Sequence, residues 1–317
     1  MAVYPYRFEP IYKEKIWGGR SLERLFGRGL PAGASIGESW ELADLPEGES
    51  VVANGPDAGK TVHALLAEKG GEILGPARAL PDGRFPLLLK LLDASDILSL
   101  QVHPDERAVA ELGPPAALKT ECWYVLASRE GYILKGVREG VTVEDLREAL
   151  AAGDDPDVLA GLLRRYDVKA GDFHYLPAGT LHALGAGVVV AEIQTPSDTT
   201  YRLSDWGRGR QVHLEQALRC IRPKLSCDPP GAAGDVLLRT PYFDVSRLRL
   251  PPGRKALAGG AFRAWMVLGG AGVVADASGG PAAELSAGDT VALPAGTGAP
   301  VLDVADEMRC LEITLPA

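Results

Sequence analysis

Short runs of Val, Leu and Ile separated by turn residues dominate this chain, and 38 glycines and 24 prolines punctuate them. That rhythm predicts many short strands joined by tight turns, so the bulk of the fold reads as mainly β. Helical spacing surfaces in three places: residues 61 to 69 (Val62, Leu65, Leu66), residues 142 to 165, and residues 213 to 221 (Leu214, Ala217, Leu218, Ile221). The second has a clear start, because Thr142 can cap the free N–H groups ahead of Val143, Leu146 and Leu150. Gly153 suits a left-handed stop, and Pro156 restarts the helix. A helical insertion at about residues 140 to 166, set between strand-rich regions, would cover a barrel as a lid or side wall without joining its sheet.

One internal similarity organises the chain. VKAGDFHYLPAGTLHAL (168 to 184) is echoed by LSAGDTVALPAGTGAPV (285 to 301), each a Gly-Asp turn, a short strand and a Pro-Ala-Gly turn. Two copies predict two barrels. The first carries His182 where the second has Gly298, so only the first would frame a metal site. The expected division is residues 1–230 as a catalytic domain containing the helical insertion, and residues 231–317 as a second, metal-free barrel.

Composition narrows the partners. With 317 residues, 46% of them hydrophobic, the chain can bury one large core or two ordinary ones. The start MAVYPYRFEP lacks the basic and apolar segments of a signal peptide, and no stretch reaches the ~18 apolar residues of a spanning helix, so the expectation is a cytoplasmic protein without a membrane partner. Cys122, Cys220, Cys227 and Cys310 are too few for a disulfide framework and read as reduced thiols. A net charge of −9 without a basic stripe argues against nucleic acid. An anionic substrate would be repelled at long range, so a phosphate ligand would need locally placed Arg and Lys.

The chemistry concentrates in LLLKLLDASDILSLQVHPDE (87 to 106) and in two segments further along the chain. Residues two apart on a strand share a face, so Gln101 and His103 point together while Val102 points away, and Pro104 ends the strand. Glu121 in KTECW can add a carboxylate oxygen, and His182 after the Pro-Ala-Gly turn a second imidazole. Two nitrogens and two oxygens without thiolate suit Zn²⁺ and would also accept Fe²⁺ or Mn²⁺. His174 lacks such partners, and His63 and His213 sit on helical stretches, so the three stay outside the set.

Five stretches resemble the type I phosphomannose isomerases, zinc enzymes of the cupin superfamily: IWGGR (16 to 20), IGESWEL (36 to 42), FPLLLKLLDASDILSLQVHPDE (85 to 106), KTECWYVL (119 to 126) and DFHYLPAGTLHALGAGVVVAEIQTPSDTTYRLSDWGR (172 to 208). The resemblance implies cupin (jelly-roll β-barrel) domains and interconversion of mannose 6-phosphate and fructose 6-phosphate through a cis-enediol; the expected assembly is a monomer or homodimer. It places the metal ligands on the same Gln101, His103, Glu121 and His182, an essential arginine on Arg202, an active-site carboxylate on Glu192, and two lysines on Lys90 and Lys119. His174 departs from the Tyr or Phe usual there. The base is open between Glu192 and a metal-held hydroxide. A non-catalytic sugar-phosphate sensor and a cupin metal oxygenase are the alternatives, because one barrel supports many functions.

Overall fold

The turn-punctuated apolar runs fold into three large antiparallel sheets and a two-stranded ribbon. The computed structural model describes residues 2–153, 155–277 and 279–317. A six-stranded sheet runs in the order Phe173–Leu176, Glu121–Ser128, Val188–Gln194, Leu88–Ala94, Ile36–Leu42, Ile11–Gly19. A five-stranded sheet runs Leu163–Asp167, Tyr132–Val137, His182–Leu184, Leu100–Val102, Tyr201–Ser204. Their inner faces meet across Leu92, Val190, Trp123, Val125, Ile133 and Leu184. No helix among the described residues is long and apolar enough to cross a membrane.

The six-stranded sheet is covered on both sides. Alternate residues Leu89 and Leu91, Val189, Ala191 and Ile193, and Cys122 turn outward and pack against Val245, Ala264, Met266, Leu311 and Ile313 of an eight-stranded sheet. This double burial explains why Leu88–Ala94 and Val188–Gln194 read as near-continuous apolar runs instead of alternating with polar residues. The eight-stranded sheet comprises strands from residues 236 to 314 together with Tyr6–Arg7, which pairs with Thr290–Leu293. The amino terminus therefore crosses to the carboxy-terminal sheet, an arrangement that a simple division at residue 230 does not anticipate.

The repeat is visible in hydrogen bonds. Asp172 accepts from the Lys169 amide at 2.9 Å, as Asp289 does from Ser286 at 2.8 Å, and the Pro-Ala-Gly turns close through Thr180 N–H to Pro177 C=O (3.0 Å) and Thr297 N–H to Pro294 C=O (3.2 Å). In that register Ala299, not Gly298, takes the place of His182.

The helices also correct the expectations. Val62–Leu74 begins at Thr61 as the spacing suggests but runs further, through a kink at Lys69. Val143–Ala151 opens on a capping box between Thr142 and Asp145, and Pro156–Gly161 restarts with Asp155 as its cap; Asp154, inside the predicted stretch, lies outside the described residues. Residues 163 to 165 are not helical: they begin a strand that pairs with Tyr132–Val137, because tertiary pairing outweighs local spacing. Leu146 and Leu159 pack against Leu100, Leu134, Ala183 and Leu203 on the outer side of the five-stranded sheet. The insertion is thus a side wall and not a lid.

Leu91 is buried between the two stacked sheets. Leu91→Ala is expected to lower unfolding free energy by about 2–5 kcal/mol in urea titration; a loss below about 1 kcal/mol would show that this interface collapses around the cavity.

Candidate metal centre and its cavity

Sheet register gathers the chemistry into two facing rows. In the five-stranded sheet Gln101 is the Cα partner of both His182 and Arg202. In the six-stranded sheet Glu192 is the partner of both Trp123 and Lys90, and Lys90 of Trp40. Because directly paired residues share a face, each row points into the barrel.

His103, Glu121 and His182 are all buried, and their candidate ligand atoms lie within 4.8 Å of one another. His103 Nδ1 lies 2.9 Å from the Thr199 carbonyl and His182 Nδ1 2.9 Å from the Thr180 carbonyl. A neutral ring whose Nδ1–H donates in this way presents a lone pair at Nε2. Those Nε2 atoms lie 3.4 and 3.2 Å from the two Glu121 oxygens. His103 Nε2 and both Glu121 oxygens are buried without a hydrogen-bond partner. Burial, then the Lys119 charge, pushes His103 down to about 3, while Glu121, against the upward push of burial, is held well below the usual carboxylate range with the Lys119 charge as the largest lowering influence. Lone pairs therefore converge on a carboxylate with no proton to share, an arrangement that a divalent cation fits. Gln101 stands at the edge, its amide 3.4 Å from His182 Nε2 and its oxygen accepting from Ser99 Oγ at 3.2 Å.

A cavity of about 240 Å³ opens beside this cluster. It does not reach His103, Glu121 or His182 directly; Gln101 and Lys119 line it and stand between, Lys119 Nζ lying 3.1 Å from Glu121 Oε2. Lys15, Lys90, Lys119, Arg202 and Arg210 line it against Glu38, Glu192 and Asp198, so the cavity is locally cationic in a chain of net charge −9.

Glu192 is held at both oxygens: Oε2 accepts from Trp123 Nε1 at 2.8 Å and Oε1 lies 3.3 Å from Lys90 Nζ. Burial and the nearby Glu121 charge raise its pKa, more than the two lysines lower it. Lys90, wholly buried, faces Glu38 at 3.5 Å and Asp198 at 3.9 Å besides Glu192, and these carboxylates outweigh burial and raise its pKa, keeping it an ammonium. Burial and Arg210 lower Arg202, whose Nε is buried without a hydrogen-bond partner and whose Nη1 donates to the Gln211 carbonyl.

All eight residues singled out from the sequence thus border the cluster or its cavity. Sequence reasoning missed Glu38, Asp198, Arg210, Lys15 and Trp123. Alternation in IGESWEL carried part of the signal, since Glu38 and Trp40 share a face and the indole donates to Glu38 at 2.7 Å. His174 lies beside Trp123 in register and outside the cluster, its pKa pushed down to about 4 by burial and Lys135. His63 meets Asp44 at 3.2 Å, and His213 accepts from the Arg202 amide at 3.2 Å.

Fold and site define a β-barrel enzyme with a candidate metal centre at the edge of a cationic cavity. The chain is 39% identical over 264 residues to the mannose-6-phosphate isomerase of Streptococcus mutans, covering 76% of this chain and 79% of that protein, and 40% identical over 233 residues to the mannose-6-phosphate isomerase ManA of Bacillus subtilis, covering 70% and 69%. Residues 6–125 match the family described as phosphomannose isomerase type I, catalytic domain, and the chain belongs to that family. It is an aldose-ketose isomerase. The crystal structure of the mannose 6-phosphate isomerase from Bacillus subtilis superposes with a TM-score of 0.85 at 32% identity, covering 99% of this chain and 100% of that one. The apo form from Salmonella typhimurium, at 16% identity and a TM-score of 0.76, shares the fold.

Glu38 generates a pH prediction. Burial pushes its pKa up, but Lys90 and Lys15 outweigh burial and bring it down to about 2. A carboxylate depressed in the folded state contributes stability above its unfolded pKa of ~4.3 and loses it as pH falls towards 2. Glu38→Gln should therefore remove about 3 kcal/mol of the acid dependence of unfolding between pH 5 and 2, measured by denaturant titration across that window; an unchanged slope would show that Glu38 is not ionised in the fold.

Proposed function

We propose that the cavity interconverts mannose 6-phosphate and fructose 6-phosphate through a cis-enediol, with Gln101, His103, Glu121 and His182 holding a divalent ion. The observation that supports this best is the meeting of buried, unprotonated donor atoms with a cationic cavity that also contains a carboxylate of raised pKa. The reaction moves a proton between C1 and C2 while negative charge passes between O1 and O2, so it needs a base, an electrophile and a grip on the phosphate.

Glu192 takes and returns the proton. Its raised pKa moves it towards the neutral range where a base works best, and Trp123 and Lys90 fix its orientation. Lys90, enclosed by three carboxylates, serves as a permanent countercharge that positions Glu192. Arg202 lines the cavity and meets the enediolate oxygen as charge develops. Lys119 adds charge stabilisation next to Glu121, and the surplus of cations lining the cavity offsets the substrate phosphate. A bound divalent ion supplies Lewis acidity towards the substrate oxygens. Two imidazoles and two oxygens suit Zn²⁺, and Fe²⁺ or Mn²⁺ also match the set.

The same reading makes residues 1–230 the catalytic domain and residues 231–317 a second, metal-free barrel, Ala299 standing in the second repeat where the first has His182. Four cysteines without disulfides suit a reducing cytoplasm, and the enzyme acts there on a small-molecule substrate as a monomer or homodimer.

Metal-loaded protein should form fructose 6-phosphate from mannose 6-phosphate, lose the activity on chelator stripping and regain it with Zn²⁺. Absence of product with metal content confirmed would reject the reading. His103→Ala is expected to abolish both stoichiometric metal and turnover. Arg202→Ala should keep its metal, by elemental analysis, while kcat falls about 10²–10³-fold; metal loss in that variant would overturn the division of roles.

A further inference from the structure

The apolar packing between the six-stranded and eight-stranded sheets does not run to its edge. Along Asp244–Leu250, Val245, Arg247 and Arg249 share one face, and along Pro300–Thr314 so do Arg309, Leu311 and Ile313. Val245, Leu311 and Ile313 lie in the core that the two sheets share, so the same faces continue outward as arginine. There a cleft of about 430 Å³ opens, lined by Arg247, Arg249 and Arg309 from the eight-stranded sheet and by Tyr124 and Leu126 from the six-stranded one.

The three guanidinium groups are unneutralised. Arg249 and Arg309 are direct cross-strand partners, a like-charge pairing that opposes sheet formation. Among the described residues neither has an ion pair or a side-chain hydrogen bond, and Arg247 has only a 3.5 Å contact to the Gly234 carbonyl. Asp235, the carboxylate lining the cleft, forms no ion pair with them. Rigid strands therefore present three planar donor forks, two of them adjacent, to a volume within the ~300–1,000 Å³ of small-molecule sites. Such forks match phosphate oxygens bidentately, and two side by side can share one diphosphate. Tyr124 offers a flat wall to a ring attached to it.

We propose that this cleft binds a diphosphate-bearing metabolite, at a site separate from the catalytic cavity. The two lie on opposite faces of one strand: in Glu121–Ser128, Glu121 and Trp123 face the barrel while Tyr124 and Leu126 face the cleft. Inorganic diphosphate and a nucleoside diphosphate share the recognised chemistry, and Tyr124 separates them.

The test is calorimetric titration of the metal-loaded full chain with inorganic diphosphate and with ADP, comparing wild type with Arg249→Ala/Arg309→Ala. Any chelation of the metal is common to both proteins and cancels in the comparison. The double variant should bind both probes at least about tenfold more weakly while keeping isomerase activity. Arg249→Ala alone removes the like-charge pair, so it should unfold no earlier than wild type and still weaken binding. Equal binding by wild type and variant, or none by wild type at millimolar probe, would overturn the proposal. Tyr124→Leu weakening ADP alone identifies a nucleoside diphosphate; unchanged ADP binding identifies the diphosphate group by itself, and either result keeps the cleft assigned.

Discussion

A carboxylate removed from water needs positive charge against its oxygens, and Glu121 is wholly buried. Lys119 approaches one oxygen at 3.1 Å, and the remaining neighbours are imidazole nitrogens held as lone-pair donors by the Thr180 and Thr199 carbonyls. Those carbonyls belong to the turn before His182 and to the loop before Tyr201–Ser204, so backbone geometry at the start of two strands of the five-stranded sheet sets the electronic state of the cluster. A cation completes what the chain leaves open. Much of the barrel is arranged to hold that incomplete site still.

Stillness comes from the six-stranded sheet, whose outer face is locked against the eight-stranded sheet. A sheet open to water on its back could not have carried Leu89, Leu91, Ala191 and Ile193 there, and without them the opposite face would lose its rigid support. The inner face uses that rigidity for charges. Lys90 and Glu192 are both almost inaccessible to solvent; Lys90 is tolerable because Glu192, Glu38 and Asp198 surround it, and Glu192 because Lys90 and the Trp123 indole face its oxygens. Removing one member would strand its partner, which distinguishes this row from the exposed ion pair Arg107–Glu111, whose loss would matter little.

What could be read from the sequence was what local periodicity encodes. The turn ahead of His182 and the cap at Thr142 depend on neighbours in the chain, and both fold as read. Arg202, Glu192, Lys90 and Lys119 came through family resemblance, since nothing within a few residues of them marks a site. Glu38 went unread because its role depends on cross-strand register over more than 50 residues, which brings it to Lys90, and Asp198 and Arg210 because they sit in loops whose path no periodicity encodes. Residues 163 to 165 carry a helical pattern yet pair as a strand, and Tyr6–Arg7 crosses to a sheet nearly 300 residues away. Non-local pairing decides both, and no window of sequence contains it.

Charge shows the same separation of scales. The chain as a whole repels anions, yet the catalytic cavity and the arginine-lined cleft each hold a local surplus of cations. At physiological salt the long-range field fades over about 8 Å, so a phosphorylated ligand gains little guidance from afar and is recognised by contact. Recognition by contact can be selective where steering cannot, because it requires donors at fixed positions. In the cavity those positions are set by a row of paired strands around Gln101, and in the cleft by Arg249 opposite Arg309. The antiparallel ladder that stabilises the fold is therefore also the device that spaces its charges.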